Sequence, residues 1–233
     1  MKTATSIFSD FLSLIYPRIC MACGKSLMKY EKCICTFCMY HLPRTNFHKE
    51  KENPVSKLFW GKINIESASA YYYFYKKGKV QQLMHQLKYK GQKEIGIFLG
   101  SLYGKELAIS PWFNKANYIV PVPLHPKKEK IRGYNQSEIF ALGLSEGMKI
   151  PVDTHTLIKT SATETQTKKS RFSRWENVKE VFTLQNAERF KNKHILLVDD
   201  VITTGATIES CVLKLQQSEG IKISVVSMAY AYH

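Results

Sequence analysis

The chain has 233 residues, 44% of them hydrophobic and 23% charged. That is enough for one well-cored domain with a small appendage, too little for two full-size domains, and too apolar for a disordered chain. Against 34 Lys and Arg stand only 19 Asp and Glu, a formal net charge of +15, which disfavours basic partners and favours nucleic acid or a small ligand carrying several phosphates; the alternative is a basic surface that serves solubility alone.

At the amino end, Ile7, Phe8, Phe11, Leu12, Leu14 and Ile15 fall at amphipathic-helix spacing that stops near Pro17. Asp10 interrupts the run and no small-residue cleavage site follows, so a helix docked on the domain is expected rather than a signal peptide or membrane span. A partner-facing or membrane-surface helix is the alternative. The expected location is cytoplasmic, with no transmembrane segment.

Five of the six cysteines follow within CMACGKSLMKYEKCICTFC. Cys20 with Cys23 and Cys35 with Cys38 form two C-x-x-C knuckles, a spacing that lets four thiolates converge on one Zn²⁺; disulfide pairing is the competing reading and needs an oxidising compartment. Cys33, His41 and His48 are not expected among the ligands. A closed Cys₄ site leaves no open position for water, so the metal is expected to be structural and to supply much of the folding free energy of its small module. Lys25, Lys29, Lys32 and Arg44 would let such a module meet nucleic acid.

Residues 43–62, polar and with two prolines, read as a linker with a short helix near Leu58 to Trp60. SASAYYYFYKKGK reads as a strand whose tyrosines belong to the core more readily than to a base-stacking platform. Helical spacing then runs from Val80 to Leu107 with a break at Gly91, and Gly96, Gly100 and Gly104 recur every four residues, permitting close helix or strand approach. From residue 118 the order is strand (YIVPVP), loop (LHPKKEKIRGY) and helix (NQSEIFALGLSEG). A buried strand at 195–198 leads to a helix over about 206–217 and a final strand, ISVVSMAY. Strands alternating with helices imply a mostly parallel α/β sheet with ligands beyond its carboxyl edge. The expected division is a helix and Cys₄ module over 1–50, a linker over 51–65 and the α/β domain over 66–233. Cys211 is expected in the core.

HILLVDDVITTGAT, residues 194–207, carries the chemistry. Two adjacent carboxylates, Asp199 and Asp200, end a buried strand and suit a pair of sugar hydroxyls or a hydrated Mg²⁺. Val201, Thr203, Thr204, Gly205, Ala206 and Thr207 follow, with the hydroxyls, glycine and backbone N–H groups to wrap one phosphate at a helix start. Together they describe a ribose 5-phosphate site. No G-x-x-x-x-G-K-[ST] and no G-x-G-x-x-G after a strand is present.

LLVDDVITTG resembles the phosphoribosyl pyrophosphate (PRPP) motif of type I phosphoribosyltransferases. Nearly end to end, the chain resembles the ComF (ComFC or GntX-like) proteins associated with bacterial competence: the Cys₄ knuckle, Lys-Tyr-Lys-Gly at 88–91, PVPLHPKKEKIRGYNQ at 121–136, and Gln166 with Arg174, Asn177 and Val178. The resemblance implies a type I phosphoribosyltransferase-like fold plus a zinc module, and PRPP bound with Mg²⁺. It implies that Asp199 and Asp200 hold the ribose hydroxyls, that Lys127, Lys128 and Arg132 contact pyrophosphate, and that a flexible loop bearing Gln166, Arg174 and Asn177 closes over the site. Single-stranded DNA and other competence proteins are implied as partners, and fold relatives are often dimers. Thr203 departs from the family pattern, because relatives with a carboxylate base place an acid there, and Lys169 stands where relatives commonly carry an apolar residue. The two functions to weigh are therefore phosphoribosyl transfer to an unknown acceptor and non-catalytic binding of single-stranded DNA.

Overall fold

The computed structural model describes residues 17–160 and 181–231. The expected amino-terminal helix, Lys169 and the three loop residues Gln166, Arg174 and Asn177 lie outside them. Four strands form a parallel sheet in the order β1-β6-β5-β2: β1 (Ser67–Phe74), β2 (Tyr118–Pro121), β5 (His194–Ile202) and β6 (Lys222–Ala231). β5 therefore sits between β2 and β6, paired on both sides. Two short strands, β3 (Leu157–Thr160) and β4 (Val181–Leu184), pair antiparallel beside it. This is the α/β, mostly parallel architecture that the alternating elements call for.

Both faces of the sheet are covered, and β5 shows why its apolar run is unbroken. Leu196 and Val198 join one buried cluster, with α3 (Lys79–Tyr89), α4 (Lys93–Ile109) and α6 (Gln136–Met148); Ile195 and Leu197 join another, with α7 (Ala206–Leu215) and Phe59. A strand buried on both faces has no polar side to alternate with. Cys211 is fully buried in the second cluster, and Tyr71 and Tyr72 are buried in the first, so these tyrosines are core.

The glycine repeat is the seam between α4 and α6. A Cβ on Gly100 would stand 2.9 Å from the Cα of Gly143, and one on Gly147 only 2.6 Å from the amide of Lys105. The two backbones touch because neither side carries a side chain there.

Two stretches differ from the sequence reading. The expected short helix near Leu58 begins earlier, as α2 (Pro54–Lys57), because Asn53 caps it in a reciprocal box with Ser56. The expected loop 124–134 contains a helix, α5 (Pro126–Arg132), with proline in its first turn, the His125 ring accepting from the Lys127 amide at 3.1 Å, and Gly133 closing it at φ +77°. Proline and glycine, residues common in loops, here mark the two ends of a helix.

The cysteine segment with its helix α1 (Thr36–His41) is joined to the sheet rather than tethered to it. Arg44 bridges antiparallel to Tyr72 on the edge of β1, and Cys20, Ile34, Cys35, Cys38 and Leu42 share the first buried cluster with Tyr71, Leu83 and Leu99.

Candidate active site

The acid pair stands in β5 after its fully buried stretch, at the carboxyl side of a central strand. Asp199 Oδ1 accepts from the Ser137 hydroxyl at 3.1 Å and from the Asp200 amide at 2.8 Å. Burial, followed by the charge of Asp200 next door, pushes the Asp199 carboxyl up to about 7; two adjacent carboxylates in poor solvent cannot both ionise freely. Asp200 is stabilised differently. Its Oδ2 meets Lys88 Nζ at 2.7 Å, with side chains 16% and 22% exposed respectively. One acid is thus held by a neutral hydroxyl and the other by a cation.

Lys88 arrives from the last turn of α3, where a cation also complements the helix dipole. Its two neighbours are fixed as well: the Leu87 carbonyl accepts from the Tyr134 hydroxyl, and the Tyr89 ring lies under the Arg132 guanidinium, 5.4 Å from the centroid. In the sequence Lys88 stands only within the Lys-Tyr-Lys-Gly stretch, and Ser137 belongs to no motif. The available signals were a lysine in the last turn before the positive-φ Gly91, and a hydroxyl two residues past the cap Asn135.

Past the acids, Thr203 and Thr204 are exposed, and Gly205 heads α7 at φ +83° with no side-chain cap. The first amides of α7 are left for a ligand or water; Thr204 Oγ1 reaches one of them, that of Ala206, only at 3.5 Å. Gly205 is required twice over. Its left-handed backbone suits glycine, and a Cβ there would fall 2.7 Å from the ring of Phe59, another residue that motif reading does not find.

Of the expected pyrophosphate contacts, Lys127 and Lys128 lie exposed on α5, which follows β2, the strand paired with β5 on the same carboxyl edge. Arg132 turns aside, giving a hydrogen bond to Gln136 Oε1 at 2.5 Å.

The four knuckle cysteines converge: their sulfur atoms all lie within 4.8 Å of one another, and Cys23 and Cys35 sulfurs are 3.9 Å apart. Metal–sulfur bonds of about 2.3 Å at tetrahedral angles give sulfur spacings of about 3.8 Å, while a disulfide requires about 2.05 Å. The donor set fits one zinc ion. Burial pushes the Cys20 thiol up, but amides of Cys35, Ala22 and Cys23 outweigh it and bring it down to about 7. Cys33 lies outside the cluster, its thiol pushed up to about 12 by burial first and Glu94 second. His41 is bound to the Phe37 carbonyl at 2.7 Å, and His48 is buried beside Glu106. None of the three joins the cluster.

The chain is 33% identical over 129 residues to the DNA utilization protein YhgH of Salmonella typhimurium, 54% of this chain and 56% of that one. It is 36% identical over 115 residues to competence protein F of Haemophilus influenzae, covering 48% and 50%, and 26% identical over 192 residues to ComFC of Bacillus subtilis, covering 82% and 75%. The chain is a homologue of YhgH, competence protein F and ComFC. The match spans about half the length of the first two of these relatives. No protein-family model matches the chain. Among solved structures it is similar to the glutamine PRPP amidotransferase of B. subtilis (TM-score 0.39, 20% identity, 60% of this chain, 30% of that one) and to adenine phosphoribosyltransferase of Leishmania tarentolae (TM-score 0.39, 15% identity, 81% and 94%). No helix among the described residues is long and apolar enough to cross a membrane.

Proposed function

We propose that the carboxyl edge of β5 binds PRPP and that the protein transfers its phosphoribosyl group to an acceptor. The observation that carries this is the uncapped, glycine-headed start of α7 directly behind a half-buried acid pair on the central strand. Bare amides and a helix dipole favour the 5-phosphate, and the acids suit the ribose hydroxyls. In the transfer, the bond from C1 to the pyrophosphate oxygen breaks with its electron pair leaving on pyrophosphate, and a lone pair of the acceptor forms the new bond to C1. Charge builds on the leaving group, for which Lys127 and Lys128 stand on α5. Thr203 cannot take a proton at neutral pH, so the acceptor is one that needs no base in this loop. Mg²⁺ would serve as a counter-ion to the pyrophosphate. As direct ligands for it the acids do not fit, since Lys88 already holds Asp200, and no step runs through an acid-bound metal.

Calorimetric titration of PRPP with Mg²⁺ into zinc-replete protein tests the reading. Asp199→Asn with Asp200→Asn is expected to abolish binding while zinc content stays unchanged; undiminished binding in the variant removes the site assignment.

Single-stranded DNA binding is a second reading, favoured by the surface of the cysteine segment as well as by relatives named for DNA utilization and competence. Tyr30, Phe37 and Tyr40 are 77%, 62% and 85% exposed, Lys79 lies over the Phe37 ring at 5.1 Å, and Lys25, Lys29 and Lys32 are exposed in the same segment. Exposed rings among cations suit bases stacked along a phosphate backbone. Phe37→Ala with Tyr40→Ala is expected to weaken binding of an oligo-dT strand about tenfold or more. The salt dependence should persist, because the lysines that displace counter-ions remain. Equal affinity in the variant, measured by fluorescence anisotropy, rules this surface out.

A further inference from the structure

We infer that Lys88 is a positioning residue, the resident counter-cation of the acid pair, which occupies Asp200 and keeps a divalent metal off the two carboxylates. The inference deepens the PRPP reading and takes its functional meaning from it, but the pairing itself stands on the structure. Lys88 Nζ is 2.7 Å from Asp200 Oδ2, and the pair is more than three-quarters withdrawn from solvent. At that depth the attraction is screened far less than on an open surface.

The lysine is not a free arm that happens to reach. The Tyr134 hydroxyl donates to the carbonyl of Leu87, Arg132 covers the ring of Tyr89, and Gly91 ends the segment at φ +71°. The residues on both sides of Lys88 are therefore gripped by Arg132 at the end of α5 and by Tyr134 in the turn into α6, and α6 also supplies Ser137 to Asp199. The same short connection fixes both partners of the acid pair. A divalent ion on these acids would have to expel an ammonium that its own helix turn holds in place, and Asp199, whose carboxyl is pushed up to about 7 by burial and then by the charge of Asp200, offers reduced charge to compensate.

Lys88 also matters for an anionic ligand. Two adjacent carboxylates alone repel phosphate; the ammonium cancels one of those charges before any ligand arrives. Replacing it should leave the acids short of a cation and make the site depend on one from solution.

The test compares Lys88→Met, Lys88→Arg and Lys88→Met with Asp200→Asn in the full, zinc-replete chain. Titration with Mn²⁺ alone is expected to show affinity rising about tenfold or more in Lys88→Met. Lys88→Arg, which keeps the charge, should stay at the wild-type level, and the double variant should lose the gain. PRPP titrated in buffer freed of divalent ions beforehand, with the protein's zinc content checked as unchanged, is expected to bind Lys88→Met about tenfold more weakly than wild type, with Mg²⁺ restoring most of the loss. No gain of Mn²⁺ affinity in Lys88→Met overturns the inference. A gain of Mn²⁺ affinity, lost in the double variant, with no PRPP binding by any form supports the counter-cation and overturns the PRPP reading instead, so the two failures are told apart.

Discussion

Asp199, in the candidate site, carries a cost to the stability of its own protein. Its carboxyl is raised to about 7, by burial first and by Asp200 second, against an ordinary value of about 3.9. Between those two values the folded carboxyl holds more protons than the unfolded one, so stability falls as pH rises through the window and the full penalty is present above pH 7. Asp199→Asn keeps an oxygen to accept from Ser137 and the Asp200 amide but has no charge to desolvate. It is expected to stabilise the protein, with a gain over wild type that grows by up to about 2–3 kcal/mol between pH 5 and pH 8. Urea unfolding at the two pH values measures this; a gain independent of pH would mean Asp199 titrates normally. One of the two substitutions expected together to abolish PRPP binding is thus, on its own, expected to gain stability. At this scale the sequence carried half of the site. Asp199, Asp200 and Gly205 are adjacent in the chain and read as one pattern, whereas Ser137, Lys88 and Phe59 reach it from 62, 112 and 146 positions away, and each is an ordinary residue in its own local context.

Among the elements, those with a strong period were legible and those made by neighbours were not. The unbroken apolar run of β5 declares itself because burial on both faces leaves no polar side to alternate with, and β1 declares itself by its run of aromatic residues from Tyr71 to Phe74. β3 and β4 are four residues each, LIKT and VFTL, and become strands through pairing with one another, which no local pattern announces. α5 was hidden because its caps are the residues that usually signal a loop. The glycine repeat of α4 was legible as a spacing, but its partner was not: the facing Gly143 and Gly147 stand four apart in α6, and only the packed pair shows the seam. Gly100→Ala would push a methyl to within 2.9 Å of Gly143 Cα, and the atoms it meets are backbone, which cannot rotate away. Although alanine is the better helix former by about 1 kcal/mol, overpacking is expected to dominate and destabilise by about 1–3 kcal/mol. A melting temperature equal to or above wild type would show that the two helices can slide apart at little cost.

At the scale of the whole molecule, the cysteine segment is packed against the sheet and its helices. Cys20, Cys35 and Cys38 lie in one buried cluster with Tyr71, Leu83, Leu99 and Leu144, and the chain leaving the segment pairs with the edge of β1 through Tyr71 and Tyr73. α3 then carries the connection onward, with Lys79 over the ring of Phe37 near one end and Lys88 on Asp200 near the other, about 14 Å apart along a helix rising 1.5 Å per residue. A metal in the Cys₄ cluster would therefore hold up more than its own loop. Without it, four buried or half-buried thiols lose the ion that lets them share one space, and the face they present to Leu83 and Leu99 loosens too. Removing zinc with a strong chelator, or replacing Cys38 with serine, is expected to lower the melting temperature by roughly 10 °C or more while unfolding stays a single transition. Calorimetry distinguishes this from an independent appendage, whose loss would appear as a separate small transition at low temperature with the main one unmoved. That second pattern would mean that contacts between the segment and the sheet carry little energy, and that α3 receives nothing from the metal end.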